Sequence, residues 1–246
     1  MILRCENLSK SFGGNKAVDK VSLTIKRLGI SSIIGPNGAG KTTLFNLITG
    51  YLPTDTGRIW FKDTEITGLP SYKISQLGIV RTFQGSNLFS RMTVFENVQV
   101  ALFSRSGQTA TLNKRARELF RPEVEEILES VDLANSSHVP SGILSGGNKK
   151  RLELAIALAV GSQMLLLDEP TAGVELKDTV NITRLIEKLT REKKLTVLFI
   201  EHDMNVVFAI SEKIRVMHQG SILAEGTPEE VRRNPEVQTA YLGWDT

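Results

Sequence analysis

The run GPNGAGKT, Gly35 to Thr42, constrains this chain more than any other stretch. It follows an apolar segment, ISSIIG, that reads as a strand, and opens KTTLFNLITG, which reads as a helix stopping at Gly50. Gly35, Gly38 and Gly40 let the backbone curl so that successive N–H groups face one anion at the helix N-terminus. In this spacing Lys41 reaches the β- and γ-phosphates of a nucleotide, and the Thr42 hydroxyl ligates Mg²⁺. Pro36, Asn37, Ala39 and Thr43 complete the expected cradle. A glycine turn joining strand to helix would explain one or two of these residues, but not the whole pattern in its required context.

The rest of the chain fits a sheet built around that loop. MLLLDE and TVLFIE read as buried strands, and they alternate with helical stretches such as ELKDTVNITRLIEKLTREKK and DMNVVFAIS. Short, wholly apolar strands alternating with helices indicate a parallel sheet covered on both faces. We expect MLLLD beside the phosphate loop, with Asp168 emerging at its C-terminal end, where open parallel sheets bind ligands. Asp168 would hold Mg²⁺ through water, and Glu169 would position and polarise an attacking water. Gln84, after IVRTF, and His202, after TVLFIE, also stand at strand ends, and either could sense a γ-phosphate.

The N-terminal segments ILRCENL and VSLTI, with GRIWFKD, read as an antiparallel β subdomain, and IRVMHQG with SILAEG as a hairpin-like pair. From Met92 to Ser141 the pattern turns helical. Thr93 and Glu96 have capping-box spacing, as do Thr227 and Glu230 near the C-terminus. Pro122 either interrupts one helix or opens the second of two. The expected organisation is an α/β core, residues 1–90 and 142–246, with an inserted helical subdomain at 91–141.

Composition narrows the function classes. The net charge is only +3, from 30 Lys plus Arg against 27 Asp plus Glu, which supplies no concentrated basic face for nucleic acid. The single cysteine, Cys5, excludes an intrachain disulfide framework and is expected buried in an edge strand. The N-terminus MILRCENLSKSF has no signal-peptide pattern. LELAIALAV and MLLLD fall short of the roughly 18 apolar residues a bilayer span requires, so any membrane role must come through a partner.

A second glycine turn, LSGGNKKR at Leu144–Arg151, opens another helix behind a serine. A capped helix accounts for SGG alone. LSGG ahead of the DE strand, however, resembles the signature motif of ABC transporter ATPases, and the resemblance extends over nearly the whole chain. It implies a P-loop NTPase fold of the ABC ATPase type, binding ATP with Mg²⁺. It also implies that Ser145, Gly146 and Gly147 close on ATP held by a second cassette, a reciprocal arrangement that calls for a two-fold or pseudo-two-fold pair. By the same resemblance Phe12 stacks on adenine and Gln84 touches the Mg²⁺ site and links it to the helical lobe. Glu169 is the catalytic glutamate, and His202 contacts the γ-phosphate. Glu175 stands where the family commonly has Asp, and Asn148 and Lys149 stand where it usually has glutamines. Those departures put the partner's hydrolysis rate in doubt more than this chain's own.

The finer resemblance is to the ATP-binding subunits of branched-chain amino-acid importers. It rests on GIVRTFQGSNLFSRMTVFENV, IEHDMNVVFAIS and GTPEEVRRNPEVQTAYLG, above all on RTFQ and the terminal YLG. It implies a peripheral protein on the cytoplasmic face of the membrane, paired with a second and different cassette. Two transmembrane permease subunits and, indirectly, a solute-binding protein complete the implied assembly. Cassettes of urea or other small-solute importers, and soluble ABC ATPases, are the alternatives. A kinase or GTPase would not need LSGG, and no base-reading motif for guanine follows the phosphate loop.

Overall fold

The computed structural model describes residues 1–82, 88–107 and 119–241. Gln84 lies outside the described residues.

The N-terminal third builds an antiparallel sheet around β1 (Leu3–Phe12). β2 (Asn15–Ile25) folds back on it through Gly13 and Gly14, both at positive φ. β3 (Gly29–Ile34) leads into the phosphate loop and α1 (Lys41–Ile48). β4 (Thr56–Phe61) then pairs with the free side of β1, and β5 (Thr64–Glu65) with β4. The resulting order is β2-β1-β4-β5. Cys5 is buried as expected, but β1 is an inner strand with partners on both sides. Its apolar alternation is the same at an edge or inside, so burial was readable and position was not.

The chain continues through α2 (Ser71–Leu77), β6 (Ile79–Arg81), α3 (Val94–Ser106), α4 (Arg121–Ser130) and α5 (Gly146–Ala159). Pro122 sits in the first turn of α4, so it opens a helix and does not interrupt one. The Thr93–Glu96 capping box forms in full at the start of α3. α5, on the core side of the boundary expected at residue 142, packs against both α3 and α4.

The last third alternates β7 (Met164–Asp168), α6 (Leu176–Glu192), β8 (Thr196–Ile200) and α7 (Met204–Ile210). It closes with the hairpin β9 (Lys213–His218) and β10 (Ser221–Gly226), then α8 (Pro228–Arg233) and α9 (Pro235–Tyr241). The strand order is β10-β9-β3-β8-β7-β6, parallel except for β10 against β9. MLLLD, expected beside the phosphate loop, is not the strand that adjoins β3, since β8 lies between them. Both β7 and β8 are buried on both faces, so hydrophobicity carries no information about which of them adjoins β3.

Successive residues of the parallel strands feed two cores. Ile30, Ile34, Leu165, Leu167, Val197 and Phe199 face the helices α3 to α7. Ile33, Met164, Leu166, Leu198 and Ile200 face α1 and the antiparallel sheet. The sheet is therefore clamped between two packed layers, and the turns after β3, β7 and β8 emerge together at one edge. Among the described residues no helix is long and apolar enough to cross a membrane.

Candidate functional site

The phosphate loop is held open by three glycines that no other residue could replace without strain or rearrangement. Gly35, Gly38 and Gly40 all have φ in the left-handed range. A Cβ on Gly35 would stand 2.1 Å from the Met217 carbonyl oxygen, and one on Gly40 2.1 Å from that of Ala17. The loop is thus wedged between β9 and β2, which shape it from outside. Lys41 is the first residue of α1, and its side chain turns back under the loop. Its Nζ donates to the carbonyl oxygens of Gly35 at 2.6 Å and Pro36 at 2.9 Å. Burial holds the Lys41 ammonium below its ordinary range, while Glu169 and Asp168 pull the other way. Two of its three donors are engaged by the loop, leaving one for a phosphate.

Above the loop lies a cleft of about 480 Å³. Its walls bring together Phe12, residues 37–43, Glu169 and His202, which lie on four separate stretches of chain. Phe12 ends β1 with its ring half exposed, and the Lys10 ammonium lies 5.9 Å from the ring centroid. Asn15 and Ala17 of β2 also line the cleft, although no motif in the sequence marks either. Ser145, Gly146 and Gly147 stand at the start of α5, outside this cleft. The Ser145 hydroxyl accepts from the Asn148 N–H at 3.3 Å, and a Cβ on Gly147 would strike the Asp178 carboxylate. Glu175 is the N-cap of α6 and makes no side-chain capping bond.

Glu169 carries the sharpest local constraint. It has φ 50, a left-handed conformation that costs a non-glycine residue about 1–2 kcal/mol. Its N–H donates to Ile200 O at 2.9 Å, and its own carbonyl accepts from Ala172 N at 3.1 Å. Lys150, on α5, reaches the same carbonyl at 3.5 Å. The turn swings the carboxylate toward His202, whose Nε2 lies 3.2 Å from Glu169 Oε1. Strain at this position is the kind that persists where surrounding bonds over-determine it.

Asp168, one residue earlier, points the other way. It is 3% exposed, and its Oδ2 accepts from Arg81 Nη2 at 2.6 Å. Arg81 is the arginine of RTFQ, and nothing in the local sequence signals this partnership. Asp168 and Thr42 offer oxygen donors suited to Mg²⁺, one buried carboxylate and one hydroxyl, a set that normally leaves room for phosphate oxygens and waters. Arg81 holds Oδ2 of Asp168, so Oδ1 would be the oxygen offered to such a cation. Of the other histidines, His138 and His218 contribute nothing to this cleft.

An ABC transporter family pattern matches residues 18–172, and a pattern described as branched-chain amino acid ATP-binding cassette transporter matches residues 221–243. The chain is 42% identical to the high-affinity branched-chain amino acid transport ATP-binding protein BraF of Pseudomonas aeruginosa, over 98% of each. It is 41% identical to the corresponding protein LivG of Escherichia coli, again over 98% of each. Among solved structures it superposes with TM-score 0.84 on the ADP conformation of MJ1267, an ATP-binding cassette of an ABC transporter, at 35% identity over 98% of each chain.

Proposed function

Because the chain belongs to the ATP-binding subunits of ABC transporters and is an ATPase, we propose that it energises import of branched-chain amino acids. The observation that carries the proposal is the cleft itself, where Phe12, the phosphate loop, Glu169 and His202 line one volume sized for a nucleotide. The cargo rests on the names of the relatives and on the C-terminal match at residues 221–243.

ATP enters with its adenine against the exposed face of Phe12 and its phosphates over the N–H groups that start α1. Lys41 gives its remaining donor to the β- and γ-phosphates, and the desolvated position of its ammonium strengthens that contact. Mg²⁺, held by the Thr42 hydroxyl and Asp168, would neutralise charge across the phosphates. Glu169 takes the proton of the attacking water as general base. His202, already within reach of Glu169, holds the γ-phosphate at the distance that makes the attack in line. The work is positioning and charge, since phosphoryl transfer leaves a protein little covalent chemistry.

Ser145, Gly146 and Gly147 lie outside the chain's own cleft and serve the nucleotide of a second cassette, which we take to be a different subunit. Gln84 is assigned to the Mg²⁺ site and to the link with the membrane subunits. Two such cassettes, closed over two ATP molecules and bound to two membrane-spanning permeases, form the machine. A solute-binding protein outside the membrane selects the cargo. Closure follows ATP binding only because the closed pair binds ATP more tightly.

The test is affinity capture of this chain from detergent-solubilised membranes, followed by transport in vesicles. Two polytopic proteins and a second cassette, with ATP-dependent uptake of leucine, support the proposal. Uptake of urea in place of leucine overturns the cargo, and a chain recovered without polytopic partners overturns the transporter reading.

A further inference from the structure

Glu201 is a buried acid that the proposed chemistry does not use. It follows β8 directly, is 4% exposed, and stands one residue before His202. Its Oε1 accepts two hydrogen bonds from Thr171, from the backbone N–H at 2.8 Å and from the hydroxyl at 2.5 Å. Its Oε2 accepts from the backbone N–H of His202 at 3.1 Å. Thr171 is itself buried, two residues past Glu169 and on the loop that leads to α6. One carboxylate therefore grips both of the loops that present cleft side chains from this edge of the sheet.

The grip extends the sheet beyond its last pair. β7 and β8 end in register at Asp168 opposite Ile200, and the Glu169 N–H then donates to Ile200 O at 2.9 Å. The paired register ends there, and beyond it the Glu201 side chain accepts from both segments. A carboxylate suits this place because it is acceptor-only and can serve donors on two sides at once. A neutral amide offers one accepting oxygen and would turn its NH₂ toward one of the two loops.

We propose that Glu201 is a positioning residue, one that locks the loop after Glu169 to the backbone of His202 and so keeps the Glu169 carboxylate and the His202 imidazole in register over the nucleotide. It is not among the residues that line the cleft. The inference rests on the roles given above to Glu169 and His202. Its physical basis is that the 3.2 Å separation of Glu169 Oε1 from His202 Nε2 joins side chains on two different loops. Without a bond between those loops, each would sample its own positions, and displacements of about 1 Å at a reacting centre can cost 10²-fold in rate.

The experiment compares Glu201→Gln and Glu201→Ala with the parent. In the purified full chain, backbone hydrogen exchange is measured over residues 168–176 and 200–204. Exchange rises in both segments if Glu201 joins them; a rise in one alone, or in neither, overturns the proposal whatever the activity shows. In the assembled transporter, Glu201→Gln lowers kcat by roughly ten- to a hundredfold, with the equilibrium affinity for ATP changed less than about twofold. The same substitution has little further effect in a His202→Ala background, because it acts through His202. A variant that is less stable, yet hydrolyses at the parental rate per folded molecule, would show a structural role only and sink the proposal. Full hydrolysis by His202→Ala or Glu169→Gln would instead remove those residues from their roles, a failure of the functional reading that the exchange data separate from a failure of this one.

Discussion

The guanidinium of Arg81 lies 2.6 Å from the carboxylate of Asp168, with side-chain exposures of only 5% and 3%. The same guanidinium bonds Asn46 on α1 and lies 5.6 Å from the Phe45 ring centroid. Three elements, β6, β7 and α1, are thus tied by one side chain. An arginine can do this because its planar fork serves several acceptors at fixed angles, which a lysine cannot.

Arg81→Met leaves Asp168 as a buried charge without the cation it is hydrogen-bonded to. We expect a loss of about 3–5 kcal/mol in unfolding free energy. Adding Asp168→Asn recovers part of that loss, since the charge to be compensated is then gone. Urea unfolding of the four proteins in the cycle checks both statements. A single-variant loss below about 1 kcal/mol would mean that the pair stabilises no more than an exposed one does.

Glu169→Gln keeps the shape of the side chain and removes its basicity. Hydrolysis in the assembled transporter falls by about 10²–10⁴-fold, the usual contribution of a general base. ATP binding persists, and with the partner cassette the variant elutes from a sizing column as a closed, ATP-bound pair. Parental hydrolysis would take the base role from Glu169.

Two glycines of the phosphate loop separate conformation from crowding. At Gly38, with φ +80, a Cβ would stand in open space, whereas at Gly40 it would meet Ala17 O at 2.1 Å. Gly38→Ala should cost about 1–2 kcal/mol for the left-handed backbone alone. Gly40→Ala should cost more and abolish nucleotide binding, because β2 or the loop must move. Denaturation midpoints and nucleotide titrations of the two variants test the order; equal effects would contradict it.

Cys5 offers a pH-dependent check on packing. Burial pushes its thiol from 9.0 up to about 12, with the Arg215 guanidinium opposing the shift. Above pH 9.0 the unfolded chain loses this proton while the folded one keeps it, so stability falls as pH rises toward about 12. Below pH 9.0 the contribution is constant. Alkylation by iodoacetamide in native buffer should proceed only as fast as the chain unfolds, and at once in denaturant. Rapid native labelling would show that β1 is not packed as described.

Much of this was legible beforehand because it is local. The phosphate loop, the capping boxes at Thr93 and Thr227, and the opening of α5 behind Ser145 are set by residues within a few positions of one another. The two-sided burial of β7 and β8 was likewise written in their uninterrupted apolar runs. The order of those strands was not, because identical burial patterns can be permuted without changing any local preference. β8, not β7, adjoins β3 for reasons of crossover and packing that no single segment carries.

By itself, then, the sequence determined the phosphate loop, since the geometry that sets Lys41 and Thr42 at the start of α1 is a short-range consequence of glycine spacing. It also determined that Asp168 ends a strand with Glu169 just after it, and that His202 follows shortly after another. Only the tertiary structure decided that Asp168 turns inward to Arg81 while Glu169, through a left-handed backbone, turns outward to His202. It alone revealed Glu201 as the acceptor shared by two loops. The physical reason is that buried polar groups take their partners from whatever the packing brings near, and those partners lie tens of residues away in the chain, beyond the reach of any periodicity.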